Sequence, residues 1–497
     1  MYGFAYAAAL CGAAQLCAPP PAVVLNADEY RDKVYGCWLG KNIGGTLGAP
    51  FEGNRETHNV TFYTNLKEGE PAANDDLDLQ MLWLKALEER GVHINARVLG
   101  EYWLNYVPVD WNEYGIGKAN MRLGLMPPVS GHYSNKQWRD SNGAWIRSEI
   151  WACLAPGCPD IAAKYAYEDA IVDHGGGEGV FAEIFTASVE SAAFVEHDRD
   201  RLIEIGLSRI PPNCATARAI RAAIDAYRRG VDWRTAREEV VKASEDTGWF
   251  QAPRNVAFVV IGWLYGEGDF GKSICTAVNC GDDTDCTGAT LGSILGIIRG
   301  YSGIPDEWKK PIGDKINTVA IANFQPPATL AELTDRTVAM VHQVLLAHSA
   351  PVQVVPNAKT DLSRVSELRL ADSRGVQTFW SRSPYQIEYD FIHTTAVLDY
   401  VSDPEVQPGA SRAVKLTLTN RTPAALSLKV QWEVPEGWRV DPNAESQVSL
   451  DAGASQTLEV KVSAPEAARE VNRCLVKLIA DGRPTVGVVP FTIICKK

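Results

Sequence analysis

Three aspartates fall within four residues in one segment of this 497-residue chain. The segment reads Asn279-Cys280-Gly281-Asp282-Asp283-Thr284-Asp285-Cys286-Thr287-Gly288, and an apolar stretch follows it. Like charges this close repel one another, so a folded protein keeps them beside a hard cation, at a helix N-terminus or in open water. An acidic turn that only caps a helix is the common role of an isolated pair of such acids.

A second acidic cluster, Asn74-Asp75-Asp76, lies far upstream and also opens a predicted helix, 76–90. Glu52 stands in the loop that precedes this cluster. Ligand sets rich in carboxylates and poor in histidine suit Mg²⁺, Mn²⁺ or Ca²⁺ rather than Zn²⁺. The two clusters and Glu52 therefore predict one shared metal site, in which two ions can orient a substrate and activate a water molecule.

The composition is that of an ordinary globular protein, with 46% hydrophobic and 22% charged residues. A net charge of −13 argues against a nucleic-acid partner, because phosphate backbones are bound by basic surfaces. A small anionic substrate stays compatible with this charge, since a few local donors can hold it. No apolar run is long enough to span a membrane.

Residues 1–27 are predicted to be an export signal or an N-terminal tail. Residues 4–18 are apolar and small, and three prolines follow at 19–21, which is typical of a signal's apolar region and cleavage region. The segment has no Lys or Arg before it, so a frayed tail or a misplaced start codon is the alternative. We expect a periplasmic or extracellular protein, with the cytoplasm as the other location.

Eleven cysteines cannot all pair within one chain. Cys474 and Cys495 fall in two predicted strands and are candidates for a disulfide in an oxidising compartment. Cys153 and Cys158 are a second close pair. The sequence alone does not fix the connectivity.

Residues 28–349 are predicted to form an all-α domain, because strands and helices do not alternate there. Gly36, Gly40, Gly44 and Gly48 recur every four residues along its first helix. Glycine lowers helix stability, so this stripe predicts another backbone passing very close. The other predicted helices are 96–106, 143–154, 161–172, 180–195, 198–210, 215–229, 233–243, 256–265, 289–300 and 330–348.

Three other features of the sequence concern a binding pocket or the helix beside it. Residues 103–145 are rich in Trp and Tyr, and these rings are predicted either to stack on an adenine or a sugar or to belong to the core. Asp78 is predicted to face solvent or to support the first turn of helix 76–90. The glycines at 175–177 are predicted to present N–H groups that can cradle a pyrophosphate at the next helix.

The pattern changes after Pro351. Residues 350–399 are predicted to be a connector with short β pieces at 389–392 and 396–400. Residues 400–497 are predicted to form an Ig-like antiparallel β-sandwich, because short alternating strands are separated by turns such as Pro408-Gly409. Its predicted strands are 413–418, 428–432, 457–462, 474–479 and 486–495. We interpret this module as accessory, with packing support, cell-surface spacing and carbohydrate binding as the alternatives.

Four segments of the chain, in order, resemble motifs of the ADP-ribosylglycohydrolase family. They are Gly36-Cys37-Trp38-Leu39-Gly40 with Gly48-Ala49-Pro50-Phe51-Glu52, then Asn74-Asp75-Asp76, then Asp173-His174-Gly175, then Gly281-Asp282-Asp283-Thr284-Asp285. The resemblance runs over residues 28–300 and at most to 348. One such motif is weak, whereas four in the same linear order are specific.

The resemblance implies an all-α domain with a binuclear Mg²⁺ or Mn²⁺ centre that hydrolyses the bond between the anomeric carbon of a ribose and an acceptor. It implies catalytic roles for Glu52, Asp76 and Asp283. The implied metal ligands are Asn74, Asp75, Asp76, Asp283, Asp285 and Cys286. The implied substrate-binding residues are His174, Gly175, Gly176, Gly177, Asn142 and Gly143.

Three positions depart from the family's pattern. Asn74 and Cys286 stand where the family has threonine, and Asp282 stands where it has glycine. A thiol is a poor ligand for Mg²⁺, so either Thr287 or Thr284 compensates for Cys286, or one of the two metal ions is weakly bound or absent.

Two functions follow from these observations. The first is a metal-dependent glycoside hydrolase that acts on a small molecule or on an ADP-ribosylated or glycosylated group. The alternative is a non-catalytic protein that keeps the family's pocket and binds a ligand there.

Overall fold

The computed structural model describes residues 21–245, 248–480, 482–483 and 485–496. A helical domain comes first and a β-sandwich second, which confirms the predicted fold class. The helices before the sandwich are α1 Ala27–Gly48, α2 Asp75–Arg90, α3 Ala96–Tyr106, α4 Asn112–Arg122, α5 Val129–His132, α6 Glu149–Leu154, α7 Pro159–Ala170, α8 Glu178–Ala192, α9 Arg199–Ser208, α10 Ala215–Arg228, α11 Trp233–Ala243, α12 Ala252–Tyr265, α13 Phe270–Asn279, α14 Thr284–Gly303, α15 Asp306–Ile312, α16 Leu330–Ala347 and α17 Arg374–Trp380.

Helices α1 and α14 pack backbone against backbone, as the glycine stripe predicts. A Cβ atom on Gly40 would lie 2.0 Å from the carbonyl oxygen of Gly292, and one on Gly44 would lie 1.9 Å from that of Gly288. Neither distance leaves room for a side chain. The same contact recurs at Gly36 with Gly296 and at Gly48 with Thr284.

This pairing brings the end of α1 beside the start of α14. The chain leaves α1 through a short 3₁₀ turn, Ala49–Phe51, so Glu52 follows next to the first residues of α14. Helix α2 begins nearby, and the side chain of Asn74 caps it by accepting a hydrogen bond from the Asp76 backbone N–H at 2.7 Å. Three chain segments therefore meet at one end of the α1–α14 pair.

Five helices were not predicted from the sequence: α4, α5, α13, α15 and α17. Glycines at 115 and 117 interrupt the apolar periodicity of α4, and Pro311 lies inside α15. Helix α13 is short, and its start depends on Asp269, whose side chain accepts a hydrogen bond from the Lys272 N–H at 2.6 Å. Local sequence patterns are weak where glycine and proline enter a helix.

A two-stranded parallel sheet joins the two ends of the helical domain. Strand β1, Val23–Asn26, pairs with β2, Val352–Val355. The predicted N-terminal segment 1–27 thus contributes a strand to the domain from residue 23 onward. Residues 1–20 of that segment lie outside the described residues, so export stays a prediction.

In the described part of the chain, the sandwich consists of two sheets whose strands pair mostly in the antiparallel direction. Their strands are β3 Gln386–Asp390, β4 Thr394–Asp399, β5 Glu405–Val406, β6 Ser411–Asn420, β7 Leu426–Glu433, β8 Arg439–Asp441, β9 Glu445–Leu450, β10 Ser455–Ser463, β11 Val471–Ala480 and β12 Thr485–Cys495. One sheet has the order β3-β4-β6-β10-β8 and the other β5-β12-β11-β7-β9. Alternate residues of β6, such as Val414, Leu416 and Leu418, are fully buried between the sheets.

The predicted connector 350–399 is divided between the two domains. Its first strand is β2, which belongs to the helical domain, whereas β3 and β4 lie in the same sheet as β6. The boundary drawn at residue 400 therefore falls inside the sandwich. The two domains also share a core, because Leu125, Val129 and Tyr133 of the helical domain pack with the buried residues of the sandwich.

The predicted disulfides are absent from the described residues. Cys474 and Cys495 are buried free thiols, and the register of β11 against β12 puts Cys474 opposite Phe491. Cys153 and Cys158 are also free and buried. Within the described ranges, no helix combines the length and the apolar character that crossing a bilayer requires.

Candidate metal centre and its cavity

Two groups of acidic side chains meet where α1, α2 and α14 converge. Asp76, Asp285 and Cys286 can each aim one ligand atom so that all three atoms lie within 4.8 Å of one another. Glu52, Asp283 and Asp285 form a second such group. Asp285 belongs to both groups, so the arrangement has the donor pattern of two adjacent cation sites that share one carboxylate.

The electrostatics of this cluster are unfavourable without a cation. The neighbouring Asp285 carboxylate, with burial, raises the pKa of Glu52 to about 8. Burial, with Asp285, raises the pKa of Asp75 to about 6. Burial and the neighbouring acids also raise the pKa values of Asp76 and Asp283 well above their ordinary range. Each shift means that the charged form of the acid is destabilised in the folded protein.

Several oxygen atoms of the cluster are buried and have no hydrogen-bond partner. They are Oδ2 of Asp76, Oδ1 of Asp283 and Oδ1 of Asp285. A buried carboxylate oxygen without a donor is costly, and a hard cation would satisfy it. The residues present thus fit Mg²⁺ or Mn²⁺, with Asp76, Asp283, Asp285 and Glu52 as the oxygen donors.

Partners behind the cluster fix the orientation of its carboxylates. The Asn142 side-chain amide donates to Oδ2 of Asp283 at 2.7 Å, which leaves the other oxygen of Asp283 free. The Tyr114 hydroxyl donates to Oδ2 of Asp75 at 2.9 Å. Asp75 lies beside the cluster but is in neither group of converging donors.

A buried lysine lies on the inner side of the cluster. The Lys41 ammonium is 2.6 Å from Oε1 of Glu149 and 3.7 Å from Oδ2 of Asp76. All three side chains are buried. The nearer partner of Lys41 is Glu149, so the ammonium compensates only part of the charge on Asp76.

The cluster forms the floor of a cavity of about 370 Å³. Trp111, Tyr114 and Phe250 contribute aromatic surface to its wall, and Glu113 contributes a buried carboxylate. Asn142 and Gly143, two of the residues implied to bind substrate, also line it. Of the aromatic residues between 103 and 145, Trp103 and Trp145 are fully buried core residues, so only part of that segment faces the cavity.

The structure does not place the other implied substrate-binding residues at the cavity. His174 is completely buried, with Nδ1 2.8 Å from Oδ1 of Asp173 and Nε2 3.3 Å from Oγ of Ser141. The following glycines, 175–177, pack against His132, Pro384 and the carbonyl of Arg139. These contacts hold the loop behind the wall of the cavity.

Two residues of the site were not found from the sequence, and one was misread. Glu113 and Phe250 line the cavity, but Glu113 lies on the unpredicted helix α4, and Phe250 lies in a loop with a φ of 56°. Asp78 is fully buried and accepts hydrogen bonds from the N–H groups of Val319 and Ala320, at 2.7 and 2.6 Å. Of the two roles predicted for Asp78, facing solvent is therefore wrong, and support of the first turn of α2 stays a prediction. Its carboxylate anchors the loop that carries Val319 to the cavity.

The family model described as ADP-ribosylglycohydrolase matches residues 26–349. The chain belongs to the ADP-ribosylglycohydrolase family. This membership supports a glycohydrolase-like function for the helical domain. A second family model, described as the NPCBM-associated, NEW3 domain of alpha-galactosidase, matches residues 406–475, so the sandwich is a NEW3 β domain.

Individual proteins similar to this ADP-ribosylglycohydrolase family member are distant. An uncharacterized protein from Archaeoglobus fulgidus is 23% identical over 300 residues, which are 57% of this chain and 93% of that protein. A solved structure described as an ADP-ribosylglycohydrolase-related protein complex has a TM-score of 0.40 at 21% identity and covers 64% of this chain and 99% of its own. A FixG-related protein from Vibrio parahaemolyticus has a TM-score of 0.18 at 12% identity and covers 22% of this chain and 100% of its own.

Two of the three departures from the family's pattern have structural partners. Asn74 caps α2 with its Oδ1 and turns its Nδ2 toward Oδ2 of Asp285, 3.3 Å away, so it presents a donor to the cluster. Asp282 has a φ of 68°, a conformation that glycine adopts easily, and its carboxylate is 3.0 Å from Nε of Arg254. Asp282 is thus paired with an arginine and is in neither group of converging donors.

The third departure, Cys286, lies inside the first group of donors. Its Sγ is 3.3 Å from Oδ1 of Asp76, and burial together with the surrounding carboxylates raises the pKa of the thiol well above its ordinary range. A protonated thiol donates to Asp76 and is a soft, weak ligand for Mg²⁺. Cys286 is therefore the weakest ligand of the first group of donors.

Replacing Cys286 with threonine, the residue usual in the family, should tighten Mg²⁺ binding by about 10-fold, because a hydroxyl oxygen is a harder ligand than sulfur. Calorimetric titration of the metal-free protein with MgCl₂ measures the change. Cys280→Ser is the matched control, since Cys280 is equally buried but its thiol faces the Thr276 carbonyl. An unchanged or weaker Mg²⁺ affinity in Cys286→Thr would contradict a role for this position at the first site.

Proposed function

We propose that the protein is a metal-dependent glycoside hydrolase that cleaves the bond at the anomeric carbon of a ribosyl-type sugar. The substrate is an ADP-ribosyl adduct or a related N- or O-glycoside. The observation that carries the proposal is the pair of donor groups that share Asp285, with buried carboxylate oxygens that have no partner. The residues that would hold the metal are Glu52, Asp76, Asp283 and Asp285.

When bound, Mg²⁺ or Mn²⁺ supplies positive charge that positions substrate hydroxyls and lowers the pKa of a water molecule. The chain's own residues do the rest. Asn142 and Tyr114 keep the carboxylates of Asp283 and Asp75 in fixed orientations at the cavity floor. Positive charge that develops on the sugar ring during bond cleavage is stabilised by these nearby carboxylates.

The cavity supports the same reaction by its shape. A volume of about 370 Å³ is at the lower end of small-molecule sites and accommodates one sugar ring with part of its leaving group. Trp111, which is 44% exposed, adds aromatic surface to the cavity lining. Holding the anomeric carbon over the acidic floor is chiefly a positioning effect.

Metal removal tests the proposal. Exhaustive chelation should abolish glycoside turnover and lower the melting temperature by several degrees, since a ligand at about 100 times its Kd stabilises a protein by about 2.7 kcal/mol. Adding Mn²⁺ or Mg²⁺ back should restore both. The assay is initial-rate hydrolysis beside differential scanning fluorimetry on the same samples, and turnover that survives chelation would overturn metal dependence.

A non-catalytic ligand-binding protein is the second candidate, because Cys286 occupies one of the donor positions. It predicts sugar binding that needs the metal but no product in single-turnover reactions with excess protein. Detecting a released sugar under those conditions decides between the two.

A further inference from the structure

The charged side chains that line the cavity all have the same sign in the described part of the chain. They are Glu52, Asp75, Glu113, Asp283 and Asp285, and Asp76 lies just behind them. Two divalent ions would favour the ionised form of these acids and would bring four positive charges against the six carboxylates. A metal-loaded cavity therefore gains no surplus of positive charge with which to attract an anionic group.

Three buried cations near this wall are already engaged. Arg147 lies beneath Gly143, to whose carbonyl it donates, and it is fully buried. Its remaining N–H groups bind Asp169, 2.9 Å away, and Asp173, 2.7 Å away. On the other sides, Lys41 is held by Glu149 and Arg254 by Asp282, at 2.6 and 3.0 Å.

Most N–H groups of the glycine loop are already bound within the protein. The Gly176 and Gly177 N–H groups both donate to the carbonyl of His174, at 2.8 and 3.3 Å. The next N–H, of Glu178, donates to Oδ1 of Asp140 at 2.6 Å. The ring of Pro384 lies beside Gly176, with the Pro384 Cβ 3.3 Å from where a Cβ on Gly176 would be. Three successive N–H groups of the motif that suggests a pyrophosphate cradle are thus already bound within the protein.

What the wall does offer suits hydroxyl groups and a sugar face. The Glu113 side chain is 5% exposed, and its Oε2 has no hydrogen-bond partner. A carboxylate oxygen of this kind accepts a hydrogen bond from a sugar hydroxyl and repels a phosphate oxygen. Trp111 and Phe250 add ring surfaces against which the apolar face of a pyranose or furanose packs.

We infer that the substrate of this cavity is an uncharged, hydroxyl-rich glycoside and that a pyrophosphate-bearing ADP-ribosyl group is excluded. The inference rests on the proposed function and narrows its substrate class. In the reaction, the oxygen of a water molecule bonds to the anomeric carbon, and the bond from that carbon to the leaving oxygen breaks. The leaving oxygen takes a proton, so the products are a reducing sugar and an alcohol, and no redox partner is needed.

Binding of free ADP-ribose to the Mn²⁺-loaded protein gives the first test. Calorimetry should give a Kd weaker than about 1 mM. Repulsion between a phosphate and even one carboxylate whose charge no cation neutralises lowers the affinity by about 100-fold. A Kd tighter than this would overturn the inference, whichever substrate is later found.

Turnover gives the second test. Initial rates are measured with Mn²⁺ on 4-nitrophenyl glycosides of neutral pentoses and hexoses and on arginine- and serine-linked ADP-ribosyl peptides. We expect kcat/KM for the best neutral glycoside to exceed that for the best ADP-ribosyl peptide by at least about 100-fold. ADP-ribosyl hydrolysis that equals or exceeds neutral hydrolysis would overturn the inference.

Assaying Asp283→Asn beside the wild type on every substrate separates a failure of the substrate inference from a failure of the proposed function. ADP-ribosyl turnover that equals or exceeds neutral turnover and that this variant abolishes contradicts the inference and leaves the proposed function standing. Turnover of either class that is unaffected by the variant and by chelation contradicts the proposed function as well.

Discussion

Replacing Asp283 with asparagine should lower kcat/KM by at least about 10³-fold while the fold stays intact, because the charge that a metal centre supplies is worth several kcal/mol. The hydrogen bond between Asp283 and Asn142 explains why kcat/KM should fall. That amide donates to Oδ2 of Asp283, so asparagine must turn its own carbonyl oxygen toward Asn142. Its NH₂ group then occupies the place of Oδ1 and presents hydrogen atoms where a cation needs a lone pair.

The stability of the metal-free protein separates this effect from unfolding. Burial and Asp285 raise the pKa of Asp283, so protonation of this acid stabilises the fold at low pH, and that stabilisation is lost as the pH rises through the raised pKa. At neutral pH the asparagine variant is therefore expected to melt at the same temperature as the metal-free wild type or higher. The rise in melting temperature on adding Mn²⁺ should disappear. Scanning fluorimetry with and without Mn²⁺ measures both.

Asp282→Asn is the matched control, because it removes the adjacent acid. Asp282 pairs with Arg254 and accepts a hydrogen bond from the Phe250 N–H at 3.1 Å. Removing one partner of a buried ion pair destabilises a protein by about 3 kcal/mol. We therefore expect Asp282→Asn to melt lower but to keep its Mn²⁺-induced shift. If instead Asp282→Asn lost the Mn²⁺-induced shift and Asp283→Asn kept it, Asp282 and not Asp283 would be the acid that binds the metal.

The acidic cluster illustrates what the sequence can predict about a site. Each acid stands at the start of a helix or just after one, and local motifs identify such positions well. The sequence predicts that these acids converge, because two clusters of like charge on separate helices both need a neutralising partner, and one shared cation site supplies it. The structure brings Glu52, Asp76, Asp283 and Asp285 together, and the separate departures at Asn74 and Cys286 are also visible in the sequence.

The cavity wall was harder to predict, because it depends on packing between distant segments. His174 and the glycines after it have the composition of a binding loop, yet Pro384 of the connector fills the space beside them. Glu113 could not be distinguished from a surface acid, since the glycines of α4 obscure its helical periodicity. Which residues cover a loop is decided by tertiary contacts that no local pattern records.

The same limit applies to the glycine stripe on α1. Its period of four predicts a close backbone neighbour, because no local reason explains so much glycine in a helix. The partner, α14, carries glycines at 288, 292, 296 and 300 with the same spacing, but no local pattern shows that the two stripes face each other. The match matters for the proposed function, because α14 begins with two acids of the candidate metal centre.

Replacing Gly44 with alanine should destabilise the helical domain by about 3 kcal/mol, at the upper end of the cost of overpacking a core. The added methyl group would lie 1.9 Å from the carbonyl oxygen of Gly288 and 2.1 Å from its carbon. Both atoms are backbone, so no side chain can rotate away, and α1 and α14 must separate. This cost exceeds the gain of about 1 kcal/mol that alanine brings to a helix.

The separation should also reach the metal centre, which distinguishes this prediction from a general loss of stability. Asp285 and Cys286 stand on the first turn of α14, less than one turn before Gly288. A shift of that turn changes their distance from Glu52 and Asp76, so Mn²⁺ affinity should fall by about 10-fold or more in the fraction that remains folded. Calorimetry at a temperature well below the transition measures it, beside a melting temperature lower by at least about 5 °C.

Gly375→Ala is the matched control for Gly44→Ala. Gly375 lies in helix α17, and the nearest atom to an added methyl group is a carboxylate oxygen of Asp160 at 3.4 Å, an ordinary contact. Alanine there should leave the melting temperature unchanged or slightly higher and Mn²⁺ binding unaffected. If Gly44→Ala kept its melting temperature and its Mn²⁺ affinity as this control does, helices α1 and α14 would be able to move apart at little cost. The glycine stripe would then not be what holds the two halves of the acidic cluster at a fixed distance.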